Sequence, residues 1–473
     1  MVKKGKLILF GSGKNGIKAL HEYGKNKVIF FADNNKKLHG TYIEGKKVIS
    51  FEEMLSYHKE GYLIMITPVR HASLVGQLEL AGIKDYLLYK EKSNDFFEEW
   101  DKNEKLNECH NKQVEKYIEQ SIEQDCIKDI TELKNIVNDI CMQDIPLCLF
   151  KYHDESMYYG NLHTLAHYIG KKTEDMKYFP IITHYSTNYD YGALFRYKSA
   201  VITMGERYKK DVHRYFPYLP VFNIGPYIQY VEPYYKQEEY LEYKKEIGKM
   251  VVFFLPHGNQ GIVRNYNGKK YIDMLIKMYK NSFDSIWMCV YWADVNNEVC
   301  EYAENAGIHI VSAGLRPDKN FSRRLKTIIQ LSDEIVSADL GTQILYALQM
   351  NKKITMVEEA YYQESYETEI ENILTNTTEN HLYENQLMEL FKNSNSTLEE
   401  RKDFLEERIG YSKIRSKDYI KAIYEISKDV WKTCNGRIEY YPEAVRICYR
   451  KYEINRNFYF MSILKEATEG YVN

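Results

Sequence analysis

The stretch Leu331–Val357, LSDEIVSADLGTQILYALQMNKKITMV, restricts the fold of this chain more than any other. Its pattern predicts a short buried strand at Glu334–Val336, a Gly-Thr-Gln turn at Gly341–Gln343, an apolar helix, and a second strand at Lys353–Val357. Short apolar strands alternating with helices imply a parallel sheet covered on both faces. A glycine followed by small polar residues at a helix start presents unpaired backbone N–H groups and the positive end of the helix dipole, which suits a diphosphate. The same turn also serves as an ordinary strand-to-helix junction in any α/β domain.

The pattern recurs along the chain. Residues 1–92 read as a small Rossmann-like unit: KLILF (6–10), the loop GSGKNG (11–16) opening a helix, KVIFF (27–31) ending near Asp33, a turn-rich piece, a helix from Phe51, LIMIT (62–66) and DYLLY (85–89). Residues 93–144 carry many charges and no clear strand, and read as a helical linker. A second α/β run over 145–228 offers strands at 147–152, 180–185 and 200–204, and a charged helical connector follows at 229–248. A third run over 249–360 offers strands at 250–255, 285–291, 308–313, 334–336 and 353–357. From 361 to 473 the pattern is helical, with S-T-L-E at 396–399 resembling a capping box, Gly410 ending that helix and Ser416 capping the next. The expected class is therefore α/β: a small N-terminal Rossmann-like domain, two Rossmann-like lobes and a helical C-terminus.

At 473 residues the chain exceeds what a single core comfortably holds. Its formal net charge of −3 argues against general nucleic-acid affinity, so no nucleic-acid partner is expected. The eight cysteines form no C-x-x-C pair and read as reduced thiols of a cytoplasmic protein. MVKKGK leads directly into a strand, so no secretory leader is expected, and no apolar run approaches a membrane span. A peripheral role at the inner face of the cell membrane stays open, because 44 tyrosines and many lysines could make an interfacial face. An AT-rich genome would give the same abundance.

Two adjacent Rossmann-like halves over 145–360, joined by a helical connector and followed by C-terminal helices, resemble the GT-B glycosyltransferase layout. The segment GERYKKDVHRYFPYLPVFNIGPYIQ (205–229) resembles the end of the first half in transferases of this layout. The resemblance implies a nucleotide-sugar donor as substrate, a saccharide or lipid-linked acceptor in bacterial surface glycan assembly, and no required cofactor. It places the donor at the carboxyl ends of the strands of the second half. There LPHGNQGIVRN (255–265) supplies His257 to donate to a phosphate or leaving oxygen, with Gly258 and Asn259 at the cleft mouth and Arg264 as a phosphate partner. GLRPDKNFSRRLKTIIQLSD (314–333) resembles the segment that cradles the nucleotide base. It offers Arg316 to the diphosphate, whereas Arg323 and Arg324 are expected to face solvent. SADLGTQILYAL resembles the S-D-x-x-G-x-x-x-E-A segment of nucleotide-sugar 2-epimerases, but Leu345 and Tyr346 stand where the ribose-binding glutamate would fall. A hydroxyl-based grip by Ser337, Gly341, Thr342 and Gln343 is expected instead, as in CMP-sugar or CDP-polyol transferases.

No D-x-D pair occurs in the central region, so no metal site is expected. For a general base in the acceptor half, strand ends offer Asp154 in KYHDES (151–156) and His184 in THYSTNYD (183–190). His163 and His167 have i, i+4 spacing, but Leu165 and Ala166 lie between them where a zinc enzyme's glutamate would be, and a core or surface role is expected. In the N-terminal unit GSGKNG matches G-x-G-x-x-G: Gly11 permits the turn, Gly13 lets a phosphate approach, and Gly16 allows close helix–strand contact. That unit resembles the N-terminal domain of bacterial sugar acetyltransferases, which implies that Gly11, Gly13, Asp33 and Asn34 face a nucleotide-sugar. Alternatives weighed beside the transferase are a CDP-polyol phosphotransferase, a non-catalytic nucleotide-sugar-binding module and an NAD-dependent sugar-nucleotide oxidoreductase.

Overall fold

The computed structural model describes residues 6–68, 81–83, 86–89, 108–139, 158–183, 200–215, 218–256, 262–265, 268–338, 340–357, 363–366, 379–393, 395–434 and 441–469, together with positions 74, 77, 78 and 156. The chain divides into two compact units: residues 1–96 with 186–197 and 368–382, and the remainder.

The first unit runs β1 (Leu7–Phe10), α1 (Lys14–Tyr23), β2 (Val28–Ala32), β3 (Tyr42–Ile43), β4 (Lys46–Ile49), α2 (Phe51–Lys59), β5 (Leu63–Ile66) and β6 (Leu87–Leu88). Its sheet has the order β3-β4-β2-β1-β5-β6. All its pairings are parallel except β3 with β4. All four residues of β1 are buried, as expected of a central strand covered on both faces. Ser50 and Glu53 form a reciprocal capping box that starts α2. The β3–β4 hairpin falls inside the piece read from sequence as turns. Its two-residue loop, Glu44–Gly45, has φ of 49° and 78°, the mirror-image turn that matches strand twist.

The second unit begins with α3 (Glu108–Glu123), α4 (Thr131–Asp139) and α5 (Asn161–Ile169). It continues through β7 (Ile181–Ile182), β8 (Val201–Thr203), α6 (Glu206–Tyr215), β9 (Val221–Asn223) and α7 (Gln237–Ile247). β7, β8 and β9 form a parallel three-stranded sheet. Next come β10 (Met250–Phe254), β11 (Ile262–Asn265), α8 (Gly268–Tyr279), β12 (Ser285–Val290), α9 (Glu298–Asn305), β13 (His309–Ser312), α10 (Phe321–Leu331), β14 (Glu334–Ser337), α11 (Thr342–Gln349), β15 (Lys353–Met356) and β16 (Gln363–Tyr366). Five of these strands make a second, wholly parallel sheet in the order β13-β12-β10-β14-β15. β11 and β16 pair antiparallel as a separate two-stranded sheet, an addition the sequence pattern did not predict. The helices α12 (Glu379–Lys392), α13 (Leu398–Ile409), α14 (Lys417–Cys434), α15 (Tyr441–Ile454) and α16 (Phe458–Ala467) complete the chain. The α/β class with parallel sheets and a helical C-terminus is as expected. Among the described residues no helix is long and apolar enough to cross a membrane.

The capping box of α13 uses Thr397 and Glu400, one residue beyond the pair read from sequence, and Gly410 ends the helix in a left-handed conformation. The stretch expected to link domains belongs to the core of the five-stranded sheet. Ile118 of α3 and Leu133, Ile136 and Val137 of α4 are buried together with Val251, Phe253 and Met288. The C-terminal helices are equally integral. A side chain at Gly205, after β8, would strike the backbone of Arg408, and one at Gly225, after β9, would strike the carbonyl of Gly410. A side chain at Gly410 in turn would strike the carbonyl of Met204. Arg415 adds a hydrogen bond from its Nε to the carbonyl of Asn223 at 3.0 Å.

Arg324 corrects the expectation of a solvent-facing pair. It is 0% exposed and forms an ion pair with Asp318 at 2.5 Å. It also donates to the carbonyls of Ser121 (2.8 Å), Ile122 (3.2 Å), Gln124 (2.7 Å) and Ala313 (3.2 Å). Asp318 further accepts from Ser121 Oγ at 2.9 Å and from the Asn320 amide at 2.7 Å. Arg323 also turns inward, donating to Asn320 Oδ1 at 3.1 Å and to the Pro233 carbonyl at 3.2 Å. The loop carbonyls that need donors explain why Arg324 leaves solvent, while Arg323 stays half-buried at the edge. Arg324→Met should lower unfolding free energy by about 3–5 kcal/mol, because Asp318 is left buried without its counter-ion. Arg324→Lys should recover only part of that, lacking the fork that reaches several carbonyls. Urea denaturation monitored by circular dichroism measures both.

Candidate functional site

β10 and β14 are neighbours, yet the chain leaves β10 for β12 and β13 on one side and leaves β14 for β15 on the other. Diverging connections open a crevice beyond the carboxyl ends of two such strands, where ligands of open α/β sheets bind. The register sets Phe254 opposite Ser337, so Leu255 and Pro256 on one side and Ala338 and residues 340–343 on the other border the same crevice. Ser337 is fully buried at the floor. Gly341, Thr342 and Gln343 are each partly exposed at the rim. Gly341 is the N-cap of α11 with φ −76° and ψ 172°, and no side chain caps this helix. First-turn amides thus point toward the crevice end of an eight-residue helix whose dipole adds positive potential there. The Gln343 carboxamide folds back over Gly341, where a side chain would collide with it. Leu345 and Tyr346 are buried in the next turn, and burial pushes the Tyr346 phenol well above its ordinary range.

Arg316 follows β13 at the same edge of the sheet. Its guanidinium lies 4.4 Å from the centre of the Tyr158 ring, a cation–π contact. The backbone reinforces this junction: the Tyr159 amide donates to the Arg316 carbonyl at 2.7 Å, and Ser322 Oγ donates to the Tyr159 carbonyl at 2.5 Å. The Tyr159 and Phe321 rings meet at 4.8 Å. Gly160, with φ 69°, brings the chain so close to the Lys319 carbonyl that any side chain there would clash. Tyr159 itself adopts φ 60°, a strained value held by these contacts. The segment before α5 is therefore fastened to the loop that carries Arg316. Apart from the glycine, no local pattern announces this junction.

Asp154, His184, His257, Gly258 and Asn259 lie outside the described residues. Arg264 is placed by its backbone alone, in β11 opposite Glu364 of β16. His163 and His167 part company. His163 is paired with Thr173 Oγ1 at 2.7 Å through Nδ1, whereas His167 is exposed and lies 3.4 Å from Glu232. Among the described residues no three His, Cys, Asp or Glu side chains gather as a metal-holding group. The cysteines at 126, 289, 300, 434 and 448 are buried, and none of these five is in a disulfide.

In the first unit β1 lies between β2 and β5, so the glycine loop occupies the corresponding switch point of that sheet. Gly11 has φ 108°, and a side chain there would collide with Pro68 and Thr67. Gly16 packs against the Gly11 carbonyl as the close helix–strand contact requires, while Gly13 is exposed with open space around it. Asp33 accepts from the Ser12 amide (2.9 Å), the Ser12 hydroxyl (2.5 Å) and the Asn35 amide (2.9 Å), which fixes the loop to the end of β2. Asn34 exchanges hydrogen bonds with Gln77, its Nδ2 donating to Oε1 at 2.9 Å, so its amide already has a partner.

No protein-family model and no curated protein matches the chain. Among solved structures, it is similar to a UDP-glucose:anthocyanidin 3-O-glucosyltransferase in complex with UDP, at 8% identity over 90% of this chain and 100% of that one, with a TM-score of 0.25. A UDP-GlcNAc 2-epimerase from Neisseria meningitidis bound to UDP-GlcNAc aligns at 12% identity over 89% and 97%, with a TM-score of 0.24. A transferase from Siraitia grosvenorii in complex with UDP aligns at 10% identity over 90% and 95%, with a TM-score of 0.22. Likenesses this distant assign no family.

Two measurements test the local geometry. Burial, aided by the Lys319 charge, holds the His163 pKa below its ordinary value. A depressed histidine stabilises the fold fully above about pH 6.5, and that contribution is lost as pH falls toward the lower folded value. Melting temperature should therefore fall on acidification from about pH 7 to pH 5, and less steeply in His163→Asn. Gly11→Ala should lower the melting temperature, whereas Gly13→Ala should leave it unchanged. A loss of nucleotide-sugar binding in Gly13→Ala would then report on the ligand and not on folding.

Proposed function

We propose that this chain is a glycosyltransferase that moves a sugar from a nucleotide-sugar donor to a saccharide or lipid-linked acceptor in bacterial surface glycan assembly, without a metal. The observation that carries the reading is the switch point of the five-stranded sheet, where the buried Ser337 and the uncapped start of α11 border one crevice. In this reading the first-turn amides of α11, with Ser337, Gly341, Thr342 and Gln343, hold the diphosphate, and Arg316 adds a cation from the neighbouring loop. The same reading gives His257, Gly258, Asn259 and Arg264 the remaining contacts to the donor. Gly11, Gly13, Asp33 and Asn34 of the N-terminal unit form a second nucleotide-sugar site.

For an inverting displacement, Asp154 or His184 takes the proton of the acceptor hydroxyl as its oxygen bonds to the anomeric carbon. The bond from that carbon to the diphosphate oxygen breaks with its electron pair. The charge gathering on the leaving group is met by the helix dipole, Arg316 and a proton or hydrogen bond from His257. Fixed donors of this kind act without reorganising in the transition state.

A second reading, transfer of a polyol phosphate from a CDP-linked donor, is favoured by one observation. Leu345 and Tyr346 are buried where the epimerase-like segment carries a ribose-binding carboxylate, so the grip relies on hydroxyls and amides. Thermal unfolding with a panel of nucleotides separates the readings. A ligand at about 100 times its Kd stabilises by about 2.7 kcal/mol, enough to shift the melting temperature measurably. UDP or GDP should be preferred by a hexosyl transferase, CMP by a sialyl transferase and CDP by a polyol transferase. Gly341→Asp should abolish the shift, because it sets a like charge against the phosphates. Absence of any nucleotide effect, or an undiminished shift in Gly341→Asp, would sink the proposal.

A further inference from the structure

The turn between α15 and α16 leaves a cluster of apolar side chains uncovered. Ile454, the last residue of α15, is 80% exposed, and Phe458, the first of α16, is 68% exposed. Tyr459 is 48% exposed, and Ile447, two turns back on the helix face of Ile454, is 44% exposed. These residues are not surplus core, because the opposite faces of both helices are already filled by Val445, Cys448, Tyr452, Ile463 and Leu464. The turn is rigidly made. The Asn457 side chain accepts from the Phe460 amide at 3.1 Å to cap α16, and the Asn457 amide donates to the Tyr452 carbonyl at 2.8 Å.

Charge accompanies the apolar tip. Arg450 and Lys451 lie between Ile447 and Ile454 on one helix face, and Arg446 and Arg456 flank them, all four exposed; the exposed Glu453 is the one carboxylate of this turn, so the cations outnumber it. Lys451 is paired with Asp429 at 3.0 Å. Arg450 and Arg456 make no ion pair among the described residues. Arg456 also has φ 54°, a left-handed conformation that glycine would adopt without strain. The chain as a whole carries a net charge of −3, so this basic patch runs against its overall sign. Protruding Ile, Phe and Tyr ringed by arginine is the composition of an element that enters the headgroup layer of a bilayer, with aromatics at the polar boundary and cations on lipid phosphates.

We propose that the α15–α16 turn docks the protein on an anionic lipid surface, with Ile454, Phe458 and Tyr459 entering the headgroup layer and Arg450 and Arg456 contacting lipid phosphate. The docking goes beyond the proposed transfer reaction and does not depend on it.

Co-sedimentation of the full chain with phosphatidylcholine vesicles, and with vesicles containing equal parts phosphatidylglycerol, tests this without donor or acceptor present. The wild type should bind the anionic vesicles about tenfold or more tightly than the neutral ones, and salt at about 0.5 M should weaken that binding. The double variant Ile454→Glu/Phe458→Glu should lose it with an unchanged circular dichroism spectrum. Arg456→Gly should relieve the strained turn, keep or raise the melting temperature, and still weaken anionic binding by about fivefold. Equal binding to both vesicle types, no binding to either, or full binding by the double glutamate variant would overturn the proposal. So would a change in sedimentation state of that variant without vesicles, which would mark the tip as a contact between copies of the chain.

Discussion

The guanidinium of Arg324 sits where no water reaches it, and three separate stretches of chain converge on it to accept hydrogen bonds from its two terminal nitrogens. The carbonyls of 121–124 come from the end of α3, the Ala313 carbonyl from the end of β13, and the Asp318 carboxylate from the loop that leads into α10. Burial is the largest influence and works against the charge, but the Asp318 carboxylate together with Cys126 and Tyr234 outweighs it and raises the guanidinium pKa. A buried ion pair contributes little net stability, but a cation with so many fixed acceptors selects one arrangement of the loops that hold them. Gly314, at φ 94°, exists in this chain because a side chain there would meet that same guanidinium.

The loop shaped by this interaction is the one that carries Arg316. Its backbone accepts from Tyr159 and its guanidinium rests on Tyr158, so Arg324 indirectly sets where the Arg316 cation stands relative to the crevice between β10 and β14. A site that meets a developing anion by electrostatics requires such fixed positions, since a cation free to swing would be solvated and would gain less. The proposed chemistry thus rests on a polar core that touches no reacting atom.

The sheets were legible because β10 and most of β12 are uninterrupted apolar runs and β13, β14 and β15 each carry a short β-branched apolar centre between turn signals, the mark of strands buried on both faces. The hairpin at β3–β4 escaped because Lys46 and Lys47 break its apolar pattern, although the Glu44–Gly45 loop carried the turn chemistry. The antiparallel pair β11–β16 joins segments about 100 residues apart, and nothing local announces such a pairing. For the site, the strand ends and the glycine at 341 could be read from pattern. The inward turn of Arg323 and Arg324 could not, because a charged residue on a helix looks the same in sequence whether it meets solvent or a ring of carbonyls. Asp33 illustrates the same limit: its position after β2 was readable, and its use as a fastener for Ser12 was not.

Gly205, Gly225 and Gly410 bring main chain against main chain along the carboxyl edge of the three-stranded sheet, with no side chain between. A seam of that kind has two halves made at very different times. Gly410 leaves the ribosome about 200 residues after Gly205, a delay of roughly 10–40 s at ordinary synthesis rates. Throughout that interval β8 and β9 would end in bare, unpacked backbone, so the nascent chain spends its longest vulnerable period with this edge open. Chaperone dependence during synthesis, more than equilibrium stability of the finished fold, is where that seam would be felt.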